Sequence, residues 1–341
     1  MYPGFFVYFW QPVFELTLTM KHDNKEFAAG IDIGGTNSVF GLVDSRGNIL
    51  CRGFVPTGDY ADPESFAADI SRRLMEMAAH IGTSLAGIGI GAPCANSRTG
   101  EIEAATDLPW PSPIPLARMF AAHTGVPVLM GNDANAAAIG EMNYGAARGM
   151  RDFILLTLGT GVGSGIICDG HLVDGQRGFA GELGHIRAWR HEGRMCGCGR
   201  RDCLQTYCSA KGVVATALRL LESDRESTLK KIPSGKLTSK DVAIAAHEGD
   251  ALAIETLQFT GDVLGEACAQ FAAFTDPEAI ILFGGVAHAG EELTSAMEES
   301  FDRNALSLYK GKVRFLLSGL SEADSALLGA SALGWEAARK N

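Results

Sequence analysis

The chain has 341 residues, 46% hydrophobic and 20% charged, the balance of a soluble globular protein long enough for two units sharing a cleft. A formal net charge of −11 repels phosphate backbones and anionic lipids, which argues against nucleic-acid and membrane partners. Eight cysteines are too sparse for a secreted disulfide framework; reduced thiols in a cytoplasm, with one metal cluster, fit better.

Tyr2 to Met20 is apolar and aromatic, but it lacks a basic leader and a small-residue cleavage site, and Pro3, Pro12 and Glu15 interrupt any membrane helix. Residues 1–26 are therefore expected to be an extension outside the fold, with Met20 as the initiator. A first unit begins with a strand over Ala28 to Ile33, a turn at Gly34-Gly35-Thr36 and a strand over Ser38 to Val43. Ser45 to Asn48 turns the chain into a third strand, Ile49 to Val55. Asp62-Pro63-Glu64 is a helix start, and Phe66, Ile70, Leu74, Met77 and Ile81 recur at helical spacing. Ile88 to Ile90 and Val126 to Met130 read as further strands, which gives a β-β-β-α-β-α-β order.

A second unit restarts the same grammar. Phe153 to Leu158 is a strand, Gly159-Thr160-Gly161-Val162-Gly163-Ser164-Gly165 a turn, and Ile166 to Cys168 a returning strand ending in the hairpin dipeptide Asp169-Gly170. Residues 222–240 are polar and lysine-rich, an exposed loop or helix end. Ala279 to Phe283 is a strand ending in Gly284-Gly285, Val313 to Leu317 is another, and Ala323 to Ala338 is a C-terminal helix. The expected class is α/β, with domains over 27–134 and 135–341, a duplicated core, and a last helix over about 323–338 that can pack back on the first domain.

Asp32-Ile33-Gly34-Gly35-Thr36-Asn37 lies between two strands, so its backbone N–H groups can converge on phosphate oxygens. Asp32 at the strand end can hold Mg²⁺, directly or through water. The loop Leu158 to Gly165 offers similar donors without the acid. A P-loop is absent, and glycine loops followed by strands do not suit a Rossmann dinucleotide site. Asn132-Asp133 ends a strand and precedes an alanine-rich helix. Either residue can simply cap that helix, or Asp133 can accept a proton from a hydroxyl while Asn132 both donates to and accepts from a sugar. Gly181-Glu182-Leu183-Gly184-His185 precedes Cys196-Gly197-Cys198-Gly199-Arg200-Arg201-Asp202-Cys203. Three thiolates and one imidazole, within a loop over 181–205, make a closed tetrahedral Zn²⁺ site of structural type.

Asp32 to Asn37, Leu158 to Gly163 and Phe283-Gly284-Gly285 together resemble the two phosphate segments and the adenosine segment of the actin-like ATPase (ribonuclease H-like) superfamily, which includes hexokinases. The resemblance implies two related domains closing on ATP, held by Asp32, Gly34, Gly35, Thr36, Asn37, Gly159, Thr160, Gly161, Gly284 and Gly285. The Gly-Glu-x-Gly-His and Cys-x-Cys-Gly-x-x-x-Cys pair is similar to the signature of the ROK family (repressors, open reading frames, kinases), and Gly131 to Gly149 with the 158–210 region especially resembles its bacterial glucokinases. That resemblance implies Asp133 as catalytic base, sugar contacts from Asn132, Glu182 and His185, Zn²⁺ on His185, Cys196, Cys198 and Cys203, and a homodimer. Asn96 is the nearest match to a further sugar contact.

Two departures stand out. Asp202 occupies a position the family gives to glycine, and Asp tolerates a left-handed backbone better than most residues. Gln205 stands where a glutamate would accept a sugar hydroxyl; losing that charge costs roughly 1 kcal/mol or more and leaves the sugar open. Glucose is the first expectation, with N-acetylmannosamine, fructose or allose as alternatives and polyphosphate an alternative donor. The family's repressors carry a helix-turn-helix before the kinase-like region, whereas here only about thirty residues precede Asp32, and they are aromatic rather than basic. A non-catalytic sugar sensor is disfavoured by the retention of Asp32, Asp133 and both glycine loops.

Overall fold

A computed structural model describes residues 15–16, 26–104, 108–188, 190 and 192–340. The expected extension over 1–26 lies outside the described residues apart from positions 15, 16 and 26. The first half contains β1 (Glu15–Leu16), β2 (Glu26–Ile33), β3 (Asn37–Val43), β4 (Ile49–Pro56), α1 (Pro63–Ile81), β5 (Ser84–Gly91), a small hairpin β6 (Ala95–Asn96) and β7 (Glu101–Ile102), α2 (Leu116–Thr124) and β8 (Val128–Gly131). Asp62 caps α1 by accepting from the Ser65 N–H, Pro63 takes the first turn, and Gly82 ends the helix at φ 74°. The face carrying Phe66, Ile70, Leu74 and Met77 is buried against the sheet.

The second half contains α3 (Asp133–Tyr144), β9 (Phe153–Leu158), β10 (Val162–Cys168), β11 (His171–Leu172), α4 (Gln205–Cys208), α5 (Ala210–Leu221), α6 (Ser239–His247), α7 (Ala251–Thr275), β12 (Ala279–Phe283), α8 (Glu291–Asn304), β13 (Arg314–Leu317) and α9 (Ser325–Lys340). Its sheet runs β11-β10-β9-β12-β13, and the first sheet runs β1-β4-β3-β2-β5-β8. Beyond β1, both follow one plan: three antiparallel strands, then two strands parallel to the first of them. The duplicated core read from the sequence is thus present as two sheets of the same order.

Some boundaries differ from expectation. The turn after β9 is shorter and β10 starts at Val162, so Gly163 and Gly165 belong to a strand. The reason is packing. A Cβ on Gly165 would lie 2.4 Å from Ala138 Cβ, so these glycines admit α3 against the strand. Residues 222–240 contain two short 3₁₀ turns, Thr228–Lys231 and Ser234–Lys236.

Helix α9 reaches back to the first sheet. A Cβ on Gly89 would stand 1.8 Å from the Ala330 carbonyl oxygen, one on Gly30 2.5 Å from that of Leu327, and one on Gly334 2.9 Å from that of Ala29. Glycine at these three positions lets the helix backbone rest directly on β2 and β5. Helix α3 lies beside α9, and its far end is held by the buried Glu141, which accepts from the Ala146 N–H at 2.7 Å and from Gly319 and Ser318. Among the described residues, no helix is long and apolar enough to cross a membrane.

Candidate active site

The N-terminus of α3 is the point on which the site is built. Asn132 is its cap: Oδ1 accepts from the Asn135 N–H at 2.7 Å, which leaves the amide Nδ2 as a donor. Asp133 is the first helical residue, exposed, with Oδ1 accepting from the Ala134 N–H at 2.9 Å. The capping reading thus falls to Asn132, which leaves the Asp133 carboxylate at the exposed start of the helix. The dipole of the helix end also suits a carboxylate there.

Asp32 closes in from β2. Its Oδ1 is 3.6 Å from where a Cβ on Gly91 would stand, and Ala136 Cβ is 3.7 Å from the same point. Burial first, and then the neighbouring Asp133 charge, push the Asp32 carboxyl up to about 6. Two carboxylates sharing one site in this way favour a cation between or beside them. The loop after Asp32 is a tight turn in which Gly34 N–H donates to Asn37 O at 3.1 Å. It is braced from β4's end: Thr57 Oγ1 donates to Gly34 O at 2.7 Å, Ser38 Oγ lies 2.8 Å from that hydroxyl, and Thr57 N–H donates to Thr36 O. Thr36 and Asn37 are exposed.

The opposite wall comes from β10 and the segment that follows β11. A Cβ on Gly163 would be 3.0 Å from Ala134 Cβ, and one on Gly181 3.9 Å from Asn135 Oδ1. Glu182 therefore lies one residue from a contact with the first turn of α3. Ser164 Oγ bonds the Gly181 carbonyl and accepts from Leu183 N–H. Gly159, Thr160 and Gly161 cap the β9–β10 hairpin, with Gly159 and Thr160 exposed and Gly159 without atoms near its missing Cβ. Gly284, at φ 98°, sits against the end of β9, where a Cβ would meet Leu158 O at 2.8 Å; Gly285 faces open space. The second phosphate-type loop and the Gly284-Gly285 turn are thus adjacent.

His185, Cys196, Cys198 and Cys203 offer ligand atoms that all lie within 4.8 Å of one another. His185 Nδ1 is 3.7 Å from Cys196 Sγ, and Cys198 Sγ is 3.6 Å from Cys203 Sγ. A tetrahedral Zn²⁺ site with ordinary bond lengths needs edges of about 3.6–3.8 Å, so the donor set fits. The other imidazole nitrogen, Nε2, lies 4.0 Å from Glu182 Oε2. Arg200, through its backbone N–H and guanidinium, holds the exposed Cys198 thiol down at about 6, while burial pushes Cys203 up. A divalent cation would bring all three to the thiolate form. A cavity of about 330 Å³ beside the cluster is lined by His185, Arg187, Arg200, Arg201 and Cys203. A larger one, about 490 Å³, lies between α7 and α8; its carboxylates Asp262, Glu291, Glu292 and Glu299 do not suit a polyphosphate.

Two of the sequence candidates have their polar atoms engaged by protein. Asn96 is buried; its Nδ2 donates to Glu103 and to the Arg177 carbonyl, and its Oδ1 accepts from the Arg98 and Thr99 N–H groups. Gln205 bonds Cys196 Sγ and the Val162 N–H. Asp202 does adopt the left-handed backbone, at φ 59°. Residues that sequence reasoning passed over are Thr57, Ser164 and Asn135. Asn135 is buried, and its Oδ1 has no hydrogen-bond partner among the described residues. The signal for it was available: one amide inside an alanine run, three positions after the cap.

The ROK family model matches residues 28–337. A glucokinase of Halalkalibacterium halodurans is 35% identical over 312 residues, 90% of this chain and 93% of that protein. The crystal structure of a ROK family glucokinase from Streptomyces griseus, in complex with glucose and AMPPNP, superposes with a TM-score of 0.71 at 32% identity, covering 91% of this chain and 99% of that one. By contrast, the DNA-binding transcriptional dual regulator NagC of Escherichia coli is 30% identical over 208 residues, 61% of this chain and half of the regulator.

Proposed function

The chain belongs to the ROK family, and from that premise we propose that it transfers the terminal phosphoryl group of ATP to a hexose, with glucose as the sugar and O6 as the acceptor. The observation that carries this reading is the Asp133 carboxylate, exposed at the α3 N-terminus between the Asp32 loop and the Gly181–Glu182 wall.

The 27–134 and 135–341 halves close on the substrates. Backbone N–H groups of the 34–37 and 159–161 turns cradle the phosphates, and the Gly284-Gly285 turn receives the nucleoside. The amide of Asn132, the carboxylate of Glu182 and Nε2 of His185 hold sugar hydroxyls. Asp133 accepts the proton as the hydroxyl oxygen attacks in line; loop N–H groups stabilise charge spreading over the transferring oxygens. Asp32 would hold Mg²⁺, which neutralises phosphate charge when bound. Zn²⁺ on His185 and the three cysteines is structural, since four protein ligands leave no open position. The enzyme acts as a cytoplasmic homodimer feeding carbohydrate breakdown.

ADP release, followed with a panel of hexoses, tests the reading. Turnover is expected to be fastest with glucose. Asp133→Asn, which preserves the helix start, should lower kcat by roughly 10²–10⁴-fold with the KM for glucose changed little. Wild-type kcat in that variant removes Asp133 from the role of base, and sugar binding without ADP release by the wild-type protein would favour a sensor.

A further inference from the structure

Gln205, the first residue of α4, joins the cysteine cluster to the second glycine loop. Its Nε2 donates to Cys196 Sγ at 3.0 Å, and its Oε1 lies 3.5 Å from the Val162 N–H that donates to it. The same Oε1 is 3.0 Å from where a Cβ on Gly161 would stand. The base of the loop is tied to the same region by a second bond, Ala210 N–H to Gly159 O at 2.8 Å. The side chain is therefore a span of one residue between a metal ligand and the head of the β9–β10 hairpin.

We propose that Gln205 is a positioning residue: its amide couples the Cys196 thiolate to the Val162 N–H, so that the metal cluster sets the place of the 159–161 turn against the phosphates. This rests on the kinase reading of that turn. The chemistry selects an amide. One end donates to sulfur and the other accepts from a backbone N–H, and a primary amide does both without charge. A donor on a metal-bound thiolate spreads its negative charge, the usual work of outer hydrogen bonds at such sites. Three thiolates and a neutral imidazole around Zn²⁺ leave the cluster with a net charge of about −1. A carboxylate at position 205 would add a second negative charge beside Cys196 and remove the donor.

Two variants and two readouts test this. Gln205→Glu keeps the shape and the acceptor but loses the donor; Gln205→Met keeps the length and loses both polar ends. Zinc affinity is measured by competition with a chromogenic chelator, and KM is measured separately for ATP and for glucose. Both variants are expected to bind zinc roughly 10–100-fold more weakly and to show a several-fold higher KM for ATP, with the KM for glucose within about twofold of wild type. Zinc affinity unchanged in both variants overturns the proposal, as does a rise confined to the KM for glucose. If the wild-type protein shows no kinase activity, the functional reading fails, while zinc affinity still decides whether the amide supports the cluster.

Discussion

At the scale of single residues, Asp202 shows how far a substitution can be judged before its neighbours are known. Its tolerance of a left-handed turn was readable from residue type alone, and the observed φ of 59° agrees. Its partners were not readable. Oδ1 accepts from the hydroxyl of the fully buried Tyr207 at 2.6 Å and from the Arg194 N–H at 2.9 Å, and the Arg194 guanidinium stacks 4.3 Å above the Tyr207 ring. Asp202→Gly, toward the usual family residue, would relieve about 1 kcal/mol of backbone cost. It would also strand a buried hydroxyl at a cost of about 1–3 kcal/mol, on top of the lost charge-assisted bonds. The second effect wins, so the variant should unfold at lower urea concentration than wild type at pH 7. The Tyr207 hydroxyl, first, holds the Asp202 carboxyl below its ordinary value. Its stabilisation is therefore complete above about pH 4 and fades as pH falls through the lower folded value. The gap between the two proteins should close under strongly acidic conditions. A glycine variant as stable as wild type at pH 7 would show that the tyrosine has found another acceptor.

At the scale of elements, strands and their glycine punctuation were legible because short apolar runs between turn residues have few other readings. Helix α1 was legible from its cap and its spacing. Helix α7 was not, because its burial extends around the cylinder, with Leu252, Leu257, Leu264 and Phe271 all inside, and a helix apolar on most sides shows no stripe. The start of β10 was misplaced for a related reason: glycines that look like a turn are there to admit α3. The same logic gives a prediction for α9. Gly89→Ala puts a methyl 1.8 Å from the Ala330 carbonyl oxygen and 2.4 Å from the Gly334 nitrogen, both backbone atoms that cannot step aside. The cost should be roughly 3 kcal/mol or more, read as a large fall in the urea midpoint or a failure to fold. Gly58→Ala meets nothing within 4 Å and should stay within about 0.5 kcal/mol of wild type. Equal behaviour of the two variants would mean that α9 does not rest on β5 as described.

At the scale of the molecule, the two halves were visible as a repeat of strand, glycine turn and strand, but the contact that spans them was not. The β6 end of the first half meets the 174–178 segment of the second: Asn96 Nδ2 donates to Arg177 O at 2.8 Å, Ser97 Oγ to Asp174 Oδ2 at 3.1 Å, and Arg98 Nη2 to Asp174 Oδ1 at 2.7 Å. These partners are separated by 76 to 81 positions, beyond the reach of any local pattern. Asn96 thus sends one of its four protein bonds, that to Arg177 O, into the second half, while the other three stay within its own hairpin. The magnitudes rank its parts. The Arg98–Asp174 pair is half exposed and worth roughly 0–1 kcal/mol. Asn96 is buried with four partners, and its loss should cost about 2–4 kcal/mol. If this contact holds the ligand-free halves partly closed, Asn96→Ala should enlarge the ligand-free radius of gyration in solution scattering and raise the KM for the sugar several-fold, while the glucose-saturated radius stays that of wild type. Arg98→Ala should do much less of both. The reverse order, with the arginine variant more open than the asparagine variant, would place the coupling in the surface ion pair and leave the buried amide as a local support of the β6–β7 hairpin.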